Sequence, residues 1–324
     1  MATPASRFFL GLIPWYGLLI VFGIVLAIYL SNKEAETLAL PKDTILDLSL
    51  WLLPIGILGA RIYYVFFSWT SFRNNLISVL FIWEGGLAIY GGLIAGAAVL
   101  LVFCQKRKLP IFLMFDIIVP GVALAQAVGR WGNYFNQEAY GLPLSTDSPF
   151  SFFPVAVLIQ EGTSSIWHLA TFFYESSWDF IIFFVLLWGR RRWFRKQGDV
   201  FLFYLLLYSA GRLVIENLRM DSLYLGTNIR ISQLISYIVL ITVIFFFWYR
   251  KRRQKGAASR LIVFCFSLGL TLITIYALFS HIFPDWNNSM IQVIYLAVYS
   301  LLMIISSAFI YGRSDITEVQ YAHH

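Results

Sequence analysis

The sequence predicts an all-α polytopic membrane protein of about nine transmembrane helices, with the N-terminus outside and the C-terminus inside. Three observations carry this prediction. Hydrophobic residues make up 59% of the 324 positions and charged ones 13%, with 30 Phe, 18 Tyr and 11 Trp, more apolar material than a soluble domain can bury. A helix needs about 20 mostly apolar residues to cross a hydrocarbon core about 30 Å thick. Nine such windows occur, at about 12–31, 45–68, 85–104, 111–129, 170–189, 199–217, 231–249, 260–281 and 290–311. Finally, three basic clusters each follow an odd-numbered window: Lys106-Arg107-Lys108, Arg190-Arg191-Arg192 with Arg195 and Lys196, and Arg250-Lys251-Arg252-Arg253 with Lys255. Short loops rich in Lys and Arg stay on the cytoplasmic side, so all three fall on one face. Topology and contact with anionic lipid heads then account for the net charge of +7 without nucleic acid.

The first window follows Met1-Ala-Thr-Pro-Ala-Ser-Arg7 and has no small-residue cleavage site after it, so it reads as a retained anchor. Cys104 and Cys265 lie in windows and lack metal or redox spacing, which suits apolar filling. No His or Cys cluster points to a metal, and no cofactor is expected. His323 and His324 end the chain and carry no argument.

Against this apolar background, the ionisable residues at the window ends are informative, because an arginine at mid-bilayer costs roughly 2.5–3.5 kcal/mol and needs a partner or a purpose. Arg61 ends the second window and Glu84 opens the third. The glycines Gly85, Gly86, Gly91, Gly92 and Gly96 allow close helix approach or a break near a cavity, with Tyr90 among them. The fourth window leads into Gly129-Arg-Trp-Gly-Asn-Tyr-Phe-Asn-Gln-Glu-Ala-Tyr-Gly141, which carries Arg130, Asn133, Asn136 and Glu138. Residues 142–169 are too polar at both ends to span and are expected to form an outer-surface arm or head, a mobile cover suited to an incoming peptide. Tyr174 and Glu175 open the fifth window, and Arg212, Glu216 and Arg219 close the sixth.

On this topology all these groups face the outer leaflet. Arg212 and Glu216 could neutralise each other at i, i+4. That pairing leaves Arg61, Arg130 and Arg219 against Glu84, Glu138 and Glu175, a balanced set suited to a polar cavity. A guanidinium pair matches a phosphate through bidentate, charge-assisted bonds, and at this depth the abundant phosphate is a phospholipid headgroup. Arginines fixed in a water-poor site would stabilise charge growing on a leaving phosphate oxygen, and asparagines would orient ester carbonyls or hydroxyls. Two other classes fit less well. A phosphatase of phosphatidic-acid type needs a histidine set, whereas only His168 and His281 lie away from the termini. A transporter would show repeated halves, but the arginine motif occurs once.

The stretch 129–141 closely resembles the signature of bacterial prolipoprotein diacylglyceryl transferases, with Gly129, Arg130, Gly132, Asn133, Asn136, Glu138 and Gly141 at the same spacing. The similarity extends in order through Trp15-Tyr16-Gly17, Gly59-Ala-Arg61-Ile-Tyr-Tyr64, residues 83–93, Thr171-Phe-Phe-Tyr174-Glu175-Ser176 and residues 211–219, covering roughly 10–245. The resemblance implies a seven-helix core plus two C-terminal helices in a bacterial plasma-membrane enzyme. Such an enzyme moves the sn-1,2-diacylglyceryl group of phosphatidylglycerol to the lipobox cysteine thiol of prolipoproteins, forming a thioether and releasing glycerol phosphate. Carried over by position, Arg130 and Arg212 match the essential arginines. Asn133 and Glu138 match signature positions, and Tyr16, Glu175, Glu216 and Arg219 match further polar sites.

Two positions depart from the family. Tyr90 stands where many members have a histidine in the third span, and Leu169-Ala170 stands where many have His-Pro. The acceptor of the thiol proton is therefore open, as is the alternative of a degenerate lipid-binding homologue. Tyr90 is the local candidate for catalysis and is better suited to hydrogen bonding the lipid. Tyr90→Phe should leave measurable transfer in a peptide-lipidation assay, and complete loss would place the hydroxyl on the proton's path. Arg61, Glu84, Asn136 and Tyr174 complete the expected substrate-binding set. Residues 1–250 are expected to form the transferase core and 251–324 a two-helix extension with a cytoplasmic tail.

Overall fold

A computed structural model describes residues 6–161, 164–194, 196–225, 229–251, 257–280 and 289–312. Arg195, Arg252, Arg253, Lys255, His281, His323, His324 and the side chain of Glu84 lie outside the described set. The protein is mostly helical. Its long helices are α1 (Trp15–Thr37), α2 (Thr44–Phe67), α3 (Ile89–Arg107), α4 (Ile111–Gly129), α5 (Thr171–Arg192), α6 (Asp199–Glu216), α7 (Ile231–Lys251), α8 (Ala257–Ser280) and α9 (Ser289–Tyr311). Among the described residues seven are long and apolar enough to cross a membrane. Of the other two, α8 contributes a shorter apolar stretch at Ala258–Thr274, and α6 carries Asp199, Arg212 and Glu216 within its 18 residues.

The chain forms two compact units, residues 26–121 and residues 1–25 with 122–324. In the first, α2 packs along α3 because glycine meets glycine: a methyl on Gly91 would lie 2.3 Å from the Gly59 carbonyl oxygen. Ile45, Leu48, Leu100, Phe103, Cys104, Met114 and Ile117 form its core, so Cys104 fills apolar space as expected. Gly85 and Gly86, read from sequence as part of the third span, instead belong to the preceding loop. Their φ angles of 90° and 70° favour residues without a Cβ, and α3 begins only at Ile89.

In the second unit, α6 lies against α5, α7 and α9. Leu206, Leu213, Leu240, Ile244, Leu296 and Met303 are fully buried in the core this makes. Ser300 donates from α9 to the Ala210 carbonyl of α6 at 3.0 Å. At the far end Asp199 accepts from Arg250 at 2.9 Å and from the Tyr311 hydroxyl at 2.7 Å. Of the two C-terminal helices, α9 thus packs directly on α6, while α8 packs on α7 and α9. Their apolar sequence offered no way to foresee which helix they would cover.

The segment after the signature, expected as an outer-surface arm or head, contains regular strands. It is an antiparallel sheet of β1 (Pro143–Leu144), β2 (Ala156–Glu161) and β3 (Ser164–Leu169), ordered β1-β3-β2. Cross-strand pairs such as Leu158 with Trp167 and Ile159 with Ile166 fix its register, the side-chain pairing on which sheets depend. The runs Val155–Ile159 and Ser165–Leu169 are short and apolar enough to be strands.

Candidate functional site

The site grows from the signature segment. α4 runs out at Gly129, and Trp131–Asn136 form a short helix that ends with Gln137 at φ 54° and Ala139 at φ 54°, turning the chain back. Gly132 is needed because a Cβ there would lie 2.5 Å from the Tyr16 ring. Trp131 donates to the Ser176 hydroxyl at 3.0 Å, and Ser176 donates to the Ala127 carbonyl at 2.7 Å. Thr171 donates to the Ala139 carbonyl. Leu142 N–H donates to the Leu218 carbonyl at 3.0 Å, and Gly141 bridges to Arg219. These bonds fasten the segment to the start of α5 and the end of α6, where the other ionisable residues lie.

Glu175 is the hub. Its Oε2 lies 2.7 Å from Arg130 Nε, and its Oε1 contacts Arg212 Nη1 and lies 3.2 Å from Arg219 Nη1. Arg212 also reaches Glu216 Oε2 at 2.6 Å, the i, i+4 pair anticipated from sequence. Arg219 is further held by Asp221 at 2.7 and 3.0 Å. Burial works against the charge of Arg219, but the Asp221 hydrogen bond and the Glu175, Asp221 and Glu216 carboxylates outweigh it and raise the guanidinium above its ordinary pKa. Glu175 and Glu216 are 5% and 2% exposed. One buried carboxylate therefore gathers three arginines from three chain segments, a geometry that orders them.

A cavity opens beside this cluster, lined by Arg130, Glu175, Trp178, Asp179, Tyr208, Arg212 and Ile215. Trp178, Asp179, Tyr208 and Ile215 were missed in the sequence. A signal for Asp179 existed, since it is the second of two carboxylates in the fifth window and sits at i+4 from Glu175. Trp178 donates its indole N–H to the Leu207 carbonyl at 2.9 Å and lies where a side chain on Gly211 would go. A Cβ on Gly211 would fall 2.1 Å from the Trp178 Nε1. Gly211→Ala should therefore displace the adjoining Arg212 and reduce turnover about a hundredfold, with milder harm to stability. Trp178→Phe combined with Gly211→Ala, leaving more room, should recover part of the rate.

The remaining expected residues divide. Asn133 and Asn136 both donate to Glu138 Oε1, at 3.0 and 3.2 Å, forming a separate polar group on the signature turn. Tyr16 packs beside Gly132. Tyr174 donates its hydroxyl to the Val155 carbonyl at 2.7 Å, tying the sheet to α5. His168 is buried on β3, with Nδ1 2.8 Å from the Gly141 carbonyl, and no histidine lines the cavity among the described residues.

Arg61, Glu84 and Tyr90 belong to the other unit. Arg61 directs five bonds of 2.7–3.3 Å at the carbonyls of Ser78, Val79, Phe81, Gly85 and Gly86, which matches its full complement of N–H donors. It clamps the loop before α3. Tyr90 is partly buried in the first turn of α3.

Partly buried arginines gathered by buried carboxylates beside a cavity, in a chain with seven membrane-length helices among its described residues, are the makings of an integral-membrane enzyme. Comparison with known proteins narrows the class. A family profile described as prolipoprotein diacylglyceryl transferase matches residues 7–249, and the chain belongs to that family. Similar proteins include one from Lactobacillus delbrueckii subsp. bulgaricus, 46% identical over 231 residues, 71% of this chain and 83% of the relative. Another, from Enterococcus faecalis, is 45% identical over 230 residues, 70% and 82% of the two chains. A third, from Streptococcus suis, is 45% identical over 231 residues, 71% and 85%. All three bear the name phosphatidylglycerol–prolipoprotein diacylglyceryl transferase. The protein is a transferase of lipoprotein biosynthesis and a multi-pass protein of the bacterial cell membrane.

Proposed function

We propose that the Arg130–Arg212–Arg219 cluster receives the phosphate of phosphatidylglycerol while its sn-1,2-diacylglyceryl group passes to the lipobox cysteine thiol of a prolipoprotein signal peptide. The observation that carries this reading is the single carboxylate, Glu175, bridging all three guanidinium groups. It holds cations together in the free enzyme in the way an anionic phosphodiester would when bound. The thiol sulfur forms a bond to the glyceryl carbon, the carbon–oxygen bond to phosphate breaks, and the electron pair stays on the departing glycerol phosphate. Arg130 and Arg212, already in place, stabilise that growing charge more than they stabilise the diester. The trio Asn133, Asn136 and Glu138 supplies neutral donors and an acceptor for the glycerol hydroxyls or ester carbonyls, with Tyr16 beside it.

The cluster is proposed to open at the outer leaflet. Glu175 lies near the start of α5 and Arg190–Arg192 at its end, separated by about 22 Å of helix at 1.5 Å per residue. With the basic end on the cytoplasmic side, the cluster faces outward, where a translocated signal peptide presents its cysteine. The sheet of residues 143–169 would then sit beside the mouth, as the arm that meets the peptide. Purified protein in vesicles containing phosphatidylglycerol should lipidate a lipobox peptide, seen as a diacylglyceryl mass increase, and leave the matched Cys→Ser peptide unchanged. No transfer to the cysteine peptide by folded protein would overturn the reading in favour of a lipid-binding homologue.

A further inference from the structure

Asp179 has a place in the cavity that the ion-pair cluster does not explain. It sits on the same face of α5 as Glu175, one turn further along, and is 2% exposed. Its Oδ2 is buried with no hydrogen-bond partner among the described residues, although it lines the same cavity as Arg130 and Arg212. Buried carboxylate oxygens are rarely left without a donor, because desolvation strongly disfavours them. An orphaned one on a residue that lines a cavity beside an arginine cluster is a candidate for chemistry.

The transfer reaction has an unfilled role of the same kind. A cysteine thiol, with a pKa of about 8.5, is only a few per cent thiolate at neutral pH, so its proton must go somewhere as sulfur attacks. The other carboxylates at the cavity are occupied: Glu175 is shared among three arginines, and Glu216 is paired with Arg212. Those guanidinium groups occupy the carboxylate oxygens that a thiol proton would need. Tyr208 would have to lose its own proton first. The charged and titratable groups facing Asp179 among the described residues are Arg130, Glu175 and Arg212, with the Tyr204 and Tyr208 hydroxyls. Asp179 is the carboxylate there that no arginine contacts directly.

We propose that Asp179 is the catalytic base of the transfer, accepting the proton of the substrate thiol. This rests on the reading of the cluster given above. In the step, the S–H proton moves to Asp179 Oδ2 as the sulfur lone pair forms the new S–C bond. The C–O bond breaks, and its electrons pass to the phosphate oxygen of the leaving glycerol phosphate. The protonated Asp179 then returns its proton to that phosphate or to water, which restores the carboxylate. The two arginines hold the anion on one side of the reacting carbon while Asp179 handles the proton.

The test uses full-length protein in phosphatidylglycerol vesicles, comparing wild type with Asp179→Asn, an isosteric change without a basic oxygen pair. With a lipobox cysteine peptide, the variant should lose about 10²–10³-fold in kcat, within the range of general-base effects, with KM for the lipid unchanged. Its residual rate should climb with pH as the thiol ionises. With the same peptide carrying selenocysteine, whose selenol is already ionised at neutral pH, wild type and variant should agree within a few-fold. Equal losses with thiol and selenol would make Asp179 a structural residue and overturn the proposal, as would full activity of the variant on cysteine. Absence of transfer by wild type would instead overturn the transferase reading itself, and the role of Asp179 with it.

Discussion

Arg130→Ala and Arg212→Ala should each abolish transfer to within background, a fall of roughly 10³-fold or more in kcat, while the protein remains folded and membrane-inserted. Removing one preorganised donor to a developing anion costs about 10²–10³ in rate. These positions do more, because each guanidinium also fixes the carboxylate that fixes its neighbours. Lysine should not rescue either one. A single ammonium lacks the two separate nitrogens with which Arg212 holds Glu175 and Glu216, and it presents a point charge where a planar fork is needed. The comparison to make is lipidation of a cysteine peptide by wild type, both alanine variants and both lysine variants, with phosphatidylglycerol binding measured alongside. Retention of more than a tenth of the wild-type rate by either alanine variant would remove that arginine from the phosphate. Arg61→Ala offers a useful contrast. Because Arg61 holds loop carbonyls, its loss should appear first as lower stability of the 26–121 unit.

How much of this could be read in the sequence depended on the kind of interaction involved. Helix α5 was legible almost to its ends, because a 22-residue helix inside a bilayer has to satisfy its backbone internally and declares itself by length and apolarity. The Arg212–Glu216 pair was legible because i, i+4 spacing on a helix is local information. The bridging role of Glu175 was not, since it depends on residues 45, 37 and 44 positions distant, at Arg130, Arg212 and Arg219, meeting one side chain. The main-chain bonds of other polar groups were out of sight for the same reason. Arg61 and Tyr174 have the right chemistry for a ligand, yet main-chain carbonyls take up their donors. The sheet over residues 143–169 was hidden by its serines and prolines, because the pairing of Val157 with His168 and of Leu158 with Trp167 is set by register between strands. Asp179 is the opposite case. The rule that an ionisable residue within a membrane span marks function applied to it directly, but the neighbouring Glu175 drew the attention.

Glu175→Gln should be as damaging as loss of an arginine, for a different reason. The substitution keeps the size and one acceptor oxygen of the side chain but removes the charge that three guanidinium groups share. Arg130 and Arg219 would then face Arg212 with Glu216, Asp221 and the nearby Asp179 left to balance them. Leaving charges buried and uncompensated costs about 3–5 kcal/mol, so the variant should melt well below wild type and transfer little or nothing. Phosphatidylglycerol gives this prediction its diagnostic value. If its phosphate takes over the bridging role of Glu175, saturating lipid should stabilise Glu175→Gln more than it stabilises wild type, since the anion then repairs the missing charge. A neutral or zwitterionic lipid at the same concentration should not. Thermal unfolding of both proteins in phosphatidylglycerol and phosphatidylcholine micelles measures this difference. Equal stabilisation of wild type and variant by the two lipids would mean that the arginine cluster holds the fold together without receiving the phosphate.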